Sequence, residues 1–304
     1  MAGTARVGIA GWTYPPWRGV FYPTGLPHRA ELGYVASLLS TLEINGSFYS
    51  LQLPTSYRSW HDQTPEDFVF SVKGGRFITH MKKLRDPEIT LANFFASGVL
   101  GLRAKLGPIL WQLPPSLGFH ADRLAAFFLA LPRSTTEAAW LARHHDERLK
   151  DRALTDTDAE RPLRHALEVR HASFLTPAFT DLLRQHHIGL VVADTAGKWP
   201  LIREVTAEFA YIRLHGDKEL YTSGYTGPAL DRWAATVRDW TGLGHDVYVY
   251  FDNDVKVRAP FDALALAGRL SQPPEPATLS SRGAVSVRGA ARRTGTTAQP
   301  PGSA

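Results

Sequence analysis

Eight short, β-rich apolar runs recur along this chain of 304 residues, and each one ends in polar or ionisable side chains. They occupy residues 6–11, 41–46, 68–73, 107–113, 165–170, 189–194, 209–215 and 247–252. Stretches with helical spacing lie between them, among them 31–39, 121–131, 178–186 and 230–242. Strands separated by helices pair in parallel, and eight such units in roughly 270 residues match a closed barrel. The expected fold is therefore α/β, a parallel (β/α)8 barrel over residues 1–272, with a doubly wound open sheet as the alternative. The charge-dense stretch 143–161 reads as a solvated helix or excursion before the fifth strand.

From residue 272 onward the chain carries five prolines among Ser, Gly, Ala and Thr and almost no large apolar side chain. A segment of that composition cannot bury enough surface to fold, so 273–304 is expected to be a disordered tail. The tail also accounts for much of the basic charge. Arg282, Arg288, Arg292 and Arg293 stand there against Glu275, a net of +3, so only +2 of the overall +5 belongs to the remainder. Nucleic acid is accordingly a weakly supported partner. No run approaches the roughly 20 apolar residues of a membrane span, which leads to the expectation of a cytoplasmic protein without a membrane partner. With no cysteine, disulfides, thiolate metal sites and thiol nucleophiles are excluded.

In a parallel barrel, chemistry gathers at the carboxyl ends of the strands. Those ends are polar here: Trp12 and Tyr14; Glu43 and Asn45; Lys73, then His80; Gln112; Glu168, Arg170 and His171; Asp194; Arg213 and His215; and Asp252, Asn253 and Asp254. Alternate residues of a strand share a face, so Tyr211, Arg213 and His215 point one way, and Glu168 with Arg170 likewise. Such ions belong at a wet pocket or in mutual pairs, and an internal ion pair of Arg213 with Glu43 or Glu168 is one expectation.

The other is a site for a small anionic, phosphate- or nucleotide-like substrate that is cleaved or rearranged by acid–base chemistry, hydrolysis first among the classes. There Glu168 is the base, His215 or His80 the acid, and Asp194 a further catalytic group. Arg170, Arg213 and Lys73 hold the anion while Asn45 and Gln112 orient neutral groups. Trp12, Tyr14, Glu43, His171, Tyr225 and Asn253 complete the binding set, the aromatic rings among them suited to stacking. No cofactor is predicted. A divalent-metal hydrolase or isomerase using Glu168, Asp194 and His215 is the rival enzyme, although Arg170 and Arg213 would repel a nearby dication. A binding protein without turnover is the third possibility.

Ordered motifs run through most of the chain: Gly11-Trp12-Thr13-Tyr14, Phe21-Tyr22-Pro23, Glu43-Ile44-Asn45, Phe70-Ser71-Val72-Lys73, Gln112-Leu113-Pro114, Glu168-Val169-Arg170-His171-Ala172-Ser173, Tyr211-Ile212-Arg213-Leu214-His215-Gly216 and Tyr250-Phe251-Asp252-Asn253-Asp254. Together they resemble the YecE-like family called domain of unknown function 72. The resemblance covers about residues 6–270 and implies a TIM barrel; it supplies no established activity. One departure stands out, because that family commonly carries Asn-Asn where this chain has Asp252-Asn253. An inward-facing Asp252 would weaken the case for an anion.

Overall fold

The computed structural model describes residues 1–271, so the tail expected over 273–304 lies outside the described residues. Eight strands, β1 (Ala5–Ala10), β2 (Thr41–Ile44), β3 (Val69–Lys73), β4 (Leu106–Gln112), β5 (His165–Glu168), β6 (Gly189–Asp194), β7 (Phe209–Leu214) and β8 (Asp246–Phe251), close in sequence order into one parallel barrel. β1 meets β8 in register from Ala5↔Val247 to Ile9↔Phe251, which seals the cylinder. The helices are α1 (Glu31–Ala36), α2 (Gly46–Tyr49), α3 (Pro54–Asp62), α4 (Glu88–Ala96), α5 (Ala121–Ala130), α6 (Thr135–Ala142), α7 (Pro177–Gln185), α8 (Gly227–Gly242) and α9 (Ala259–Ser271). No helix among the described residues is long and apolar enough to cross a membrane.

Strand and helix do not alternate throughout. β6 reaches β7 through residues 195–208 without a helix. Ala196 and Gly197 both take positive φ there, which breaks any helical start. Thr206 instead ties the segment down, its hydroxyl accepting from Leu190 N at 2.8 Å and donating to Ile188 O at 2.7 Å. The stretch 143–161 is an excursion holding one short 3-10 turn, Lys150–Arg152. It is anchored by buried Leu149 and by Leu154 N donating to Ala96 O at 2.8 Å.

Side-chain parity sorts the strands into two cores. Outward residues such as Ile9, Leu42, Val72, Trp111, Leu167, Val192, Ile212 and Val249 pack beneath the helices. Inward residues Leu110, Ala166, Val191, Ala193, Phe209, Tyr211, Tyr248 and Tyr250 fill the lower barrel. Above them the interior turns polar. Tyr250 Oη lies 2.8 Å from both Thr41 Oγ1 and Ser71 Oγ, and this satisfied layer is the platform under the ionisable groups. Gly74, just past β3, is obligatory, because a Cβ there would sit 2.3 Å from the Trp111 ring.

Outside the barrel, His165 is fully buried between Trp111 Nε1, which donates to its Nδ1 at 3.2 Å, and Pro132 O, which accepts from Nε2 at 2.8 Å. This arrangement needs a neutral ring, and burial lowers its pKa from 6.5 to about 4. Between those values the unfolded chain binds the proton and the native state does not, so stability falls as pH drops from 6.5 towards 4. The loss attributable to this residue is on the order of 3 kcal/mol. Thermal melts across that range should show the decline, and His165→Gln a shallower one; an unchanged slope in the variant would place the titration elsewhere.

Candidate functional site

β7 projects Arg213 into the upper barrel, where its side chain is fully buried and surrounded by carboxylates. Nε and Nη2 donate to the two oxygens of Glu43 from β2 at 3.0 and 2.8 Å. Nη1 donates to Glu168 Oε2 from β5 at 2.7 Å, and Nη2 to Asp252 Oδ2, just past β8, at 2.9 Å. Tyr211 Oη adds a bond of 2.7 Å to Glu43, and Arg170 donates Nε to the other Glu168 oxygen at 2.9 Å. The expected internal pairing of Arg213 is thus present, with both candidate partners and a third. Burial pushes Glu168 and Asp252 up, but the cations around them, Arg170 and Arg213 on Glu168 and Arg213 on Asp252, hold both well below the usual carboxylate range. Asp252 faces inward, where its Oδ2 accepts from Arg213 at 2.9 Å and lies 3.0 Å from His215 Nδ1.

This cluster corrects two expectations. Glu168 and His215 have no exposed surface. A carboxylate held ionised by two arginines and sealed from solvent is a poor proton acceptor, so Glu168 is not placed to act as a base. His215 Nε2 lies 3.4 Å from Arg213 Nη1, which directs the ring into the network instead of towards a substrate.

Above the cluster opens a cavity of about 770 Å³ at the carboxyl ends of the strands. Lys73, His80, Gln112, Arg170, Tyr14 and Asn45 line it, as the sequence pattern anticipates. Lys73 Nζ sits 4.5 Å above the Phe48 ring and makes no hydrogen bond or ion pair among the described residues. Burial, reinforced by Arg213 and opposed by Glu43, Asp252 and Glu168, lowers its pKa to about 8. Burial and the charges of Arg170 and Lys73 take His80 down to about 4, so at neutral pH it is a base and not the acid assigned above. Arg170 is clamped by Glu168 and stacks 3.9 Å over the Trp199 ring.

Trp12 lies next door. With Trp60, in edge contact at 5.4 Å, it lines a second cavity of about 470 Å³ that shares Tyr14, Asn45 and Tyr49 with the first. Gly11, at φ 81°, lets Tyr14 fold back to donate to Ala10 O at 2.7 Å, where a Cβ would meet the phenol oxygen at 2.7 Å.

Four expected site residues are elsewhere. Asp194 pairs with Leu214 in the sheet while its neighbour Ala193 pairs with inward Arg213, so Asp194 faces out, towards Tyr225 and Ala196. Tyr225 packs on the outward Phe251 ring at 5.7 Å and takes a bond from Gly216 N. Asn253 donates to Ser223 O and to Asp262 Oδ2, which fastens the loop after β7 to α9. His171 is exposed and caps the turn Ala172–Phe174 through Ser173. The metal set of Glu168, Asp194 and His215 is therefore not assembled. Where Glu43, Glu168 and Asp252 converge, the guanidinium of Arg213 already occupies the position of a cation. Among the described residues no three His, Cys, Asp or Glu side chains are arranged to hold an ion.

Asp254, named among the polar strand ends but given no role, joins the cavity wall with Tyr221 and Arg76. Asp254 follows inward Asp252 by two positions, a signal the strand parity carried. Burial and the charge of Asp252 raise its pKa. Arg76, Tyr221 and the Trp199 under Arg170 come from loops, which have no such periodicity.

The family described as "Protein of unknown function DUF72" matches residues 6–284. The UPF0759 protein YecE of Escherichia coli (strain K12) is 24% identical over 209 residues, 66% of this chain and 74% of that protein. The UPF0759 protein YunF of Bacillus subtilis (strain 168) is 25% identical over 124 residues, 39% and 43% of the two chains. A crystal structure of a DUF72 family protein from Thermotoga maritima superposes with a TM-score of 0.70 at 24% identity, covering 88% of this chain and all of that one. At that identity the likeness speaks for the fold. With the family match running over nearly the whole barrel, the chain belongs to the DUF72 family of proteins of unknown function.

Proposed function

We propose that this protein is an enzyme that cleaves or rearranges a small anionic substrate by acid–base chemistry in the 770 Å³ cavity. The observation that carries the reading is Lys73, a buried amine on the cavity wall with no anionic partner of its own. Arg76 and Arg170 line the same cavity, and the cations converge on a pocket instead of forming a surface stripe, which favours a small anion over a polymer. Glu43, Glu168 and Asp252 share Arg213, with Arg170 on Glu168, so three carboxylates face two guanidiniums and Lys73 and Arg76 are the cations left to tip the cavity positive. Asp254, whose pKa is raised by burial and the charge of Asp252, and neutral His80 are the groups on that wall suited to exchange a proton. Gln112 and Asn45 offer neutral hydrogen bonds for orientation. In a hydrolysis, activation of water falls to neutral His80, since Glu168 is sealed.

Inorganic phosphate and malonate are expected to raise the melting temperature of the wild-type protein, a probe at 100 times its Kd adding about 2.7 kcal/mol. Lys73→Met, folded by circular dichroism, should lose that shift. Incubation with a bacterial metabolite extract should deplete an anionic compound, and the variant should be at least about 100-fold slower. Equal shifts in both proteins, or an extract left unchanged, would overturn the enzyme reading; a shift without depletion would favour a binding protein without turnover.

A further inference from the structure

We propose that Lys73 is a covalent nucleophile and that the substrate is a small carbonyl compound with an anionic group, a 2-oxo acid or phosphorylated ketone, held as an imine on Nζ. The inference deepens the acid–base reading above and rests on it. Among the described residues two lysines are buried, Lys73 and Lys105, and their surroundings differ in kind. Lys105 Nζ donates to His61 O at 2.5 Å and Thr64 O at 2.8 Å, with Thr64 Oγ1 at 3.3 Å, the full complement of a structural ammonium. Lys73 has none of this.

Its side chain emerges from the end of β3 with the inward parity of Ser71, places its nitrogen 4.5 Å from the centroid of the Phe48 ring, and lines the cavity. A buried ammonium without acceptors costs far more than a neutral amine in the same place. With its pKa lowered to about 8, roughly one molecule in ten carries the free amine at pH 7, against fewer than about one in a thousand for a surface lysine. Desolvation beside a second cation, here Arg213, is a recognised means of activating a lysine nucleophile.

The wall holds what imine formation needs. The Nζ lone pair attacks the carbonyl carbon, the C=O pair moves to oxygen, and that oxygen takes a proton from the Asp254 carboxyl. Neutral His80 accepts the proton released by nitrogen. The hydroxyl takes that proton back from His80 and departs as water while the nitrogen lone pair forms the C=N bond, and Asp254 can recover its own proton from the iminium nitrogen, so one carbonyl and one amine give one imine and one water, with no oxidant or reductant required. Protonated, the imine withdraws electrons from the adjacent carbon, where a bond to carbon, to hydrogen or to a leaving group can break. Arg76 and Arg170 are placed to hold the anionic group meanwhile. Addition of water returns the amine and frees the product.

The test is reductive trapping on the wild-type protein. Pyruvate, glyoxylate and dihydroxyacetone phosphate are incubated separately with cyanoborohydride, followed by intact mass and peptide mapping. At least one probe should give a single reduced adduct on the peptide holding Lys73, forming ten-fold or more faster than on any surface lysine. Lys73→Arg, folded by circular dichroism, should form no adduct at that position. Labelling of Lys73 no faster than of surface lysines, with all three probes, overturns the inference. If phosphate still stabilises the wild-type protein in that event, the anion cavity stands and only the covalent step falls; if phosphate has no effect either, both readings fall.

Discussion

Arg213→Met lowers the stability of the barrel by about 3–5 kcal/mol, the penalty for leaving buried carboxylates without their cation. The loss is specific to the network. Glu168 retains Arg170, and Asp252 retains His215 at 3.0 Å, but Glu43 is left with only the hydroxyl of Tyr211 at 2.7 Å. Methionine fills much of the same volume, so charge and not a void is what changes. Two controls separate the causes. Adding Glu43→Gln to Arg213→Met should recover a good part of the loss, since the orphaned charge is then gone. Relative to the wild type, the single variant should also lose less stability on acidification, because Glu43 without its cation takes up a proton in the native state more readily. Urea denaturation of the three proteins at pH 7 and 5 measures all of this. A cost under about 1 kcal/mol for Arg213→Met would mean the network is not what holds the upper barrel.

In the wild-type cluster, Glu168 and Asp252 are lower in the native state than in the unfolded chain, so their stabilisation is present above the ordinary carboxylate pKa and is lost as pH falls below it.

Asp254→Asn is expected to reduce turnover by about 10²–10⁴-fold while leaving binding of the anion intact. Two carboxylates, Asp252 and Asp254, stand two residues apart past β8, and their surroundings drive them in opposite directions. Asp252 is locked ionised by Arg213. Asp254, partly buried and facing that fixed negative charge, keeps its proton to higher pH. Such a divided pair assigns the roles: the low one is electrostatic scaffolding, and the raised one carries the proton. The amide of Asn is close to isosteric with the carboxyl and cannot deliver a proton, so the substitution isolates the chemistry. Rates on the compound depleted from the extract, followed against pH, should lose the inflection set by Asp254. An unchanged kcat, or a change confined to KM, would transfer the proton-carrying role to another group on the wall.

Much of the architecture could be read from the chain because strand and helix periodicities are local. The eight runs, their order and their closure follow from alternation and length, and the inward set of Tyr211, Arg213 and His215 follows from a period of two. The one missing helix, between β6 and β7, escaped because a connection of 14 residues is compatible with either outcome until its backbone turns are known. Asp194 illustrates a different limit. Its strand ends in a polar residue like the others, yet the pairing of Ala193 with Arg213 sets the parity of β6 and turns Asp194 outward. Asn253 falls on the wrong side of inward Asp252 for the same reason.

What the sequence determined by itself is the fold class and the pool of ionisable side chains at one end of a cylinder, since both rest on the spacing of neighbours along one strand. Tertiary structure alone decided which of those groups neutralise each other and which face water. Glu43, Glu168, Arg213 and Asp252 come from four strands and meet over distances set by barrel closure. Only that convergence ties Glu43, Glu168 and Arg213 up beneath the floor and leaves Lys73, His80 and Asp254 on the cavity wall. Electrostatic pairing depends on separation in space, which no one-dimensional pattern encodes.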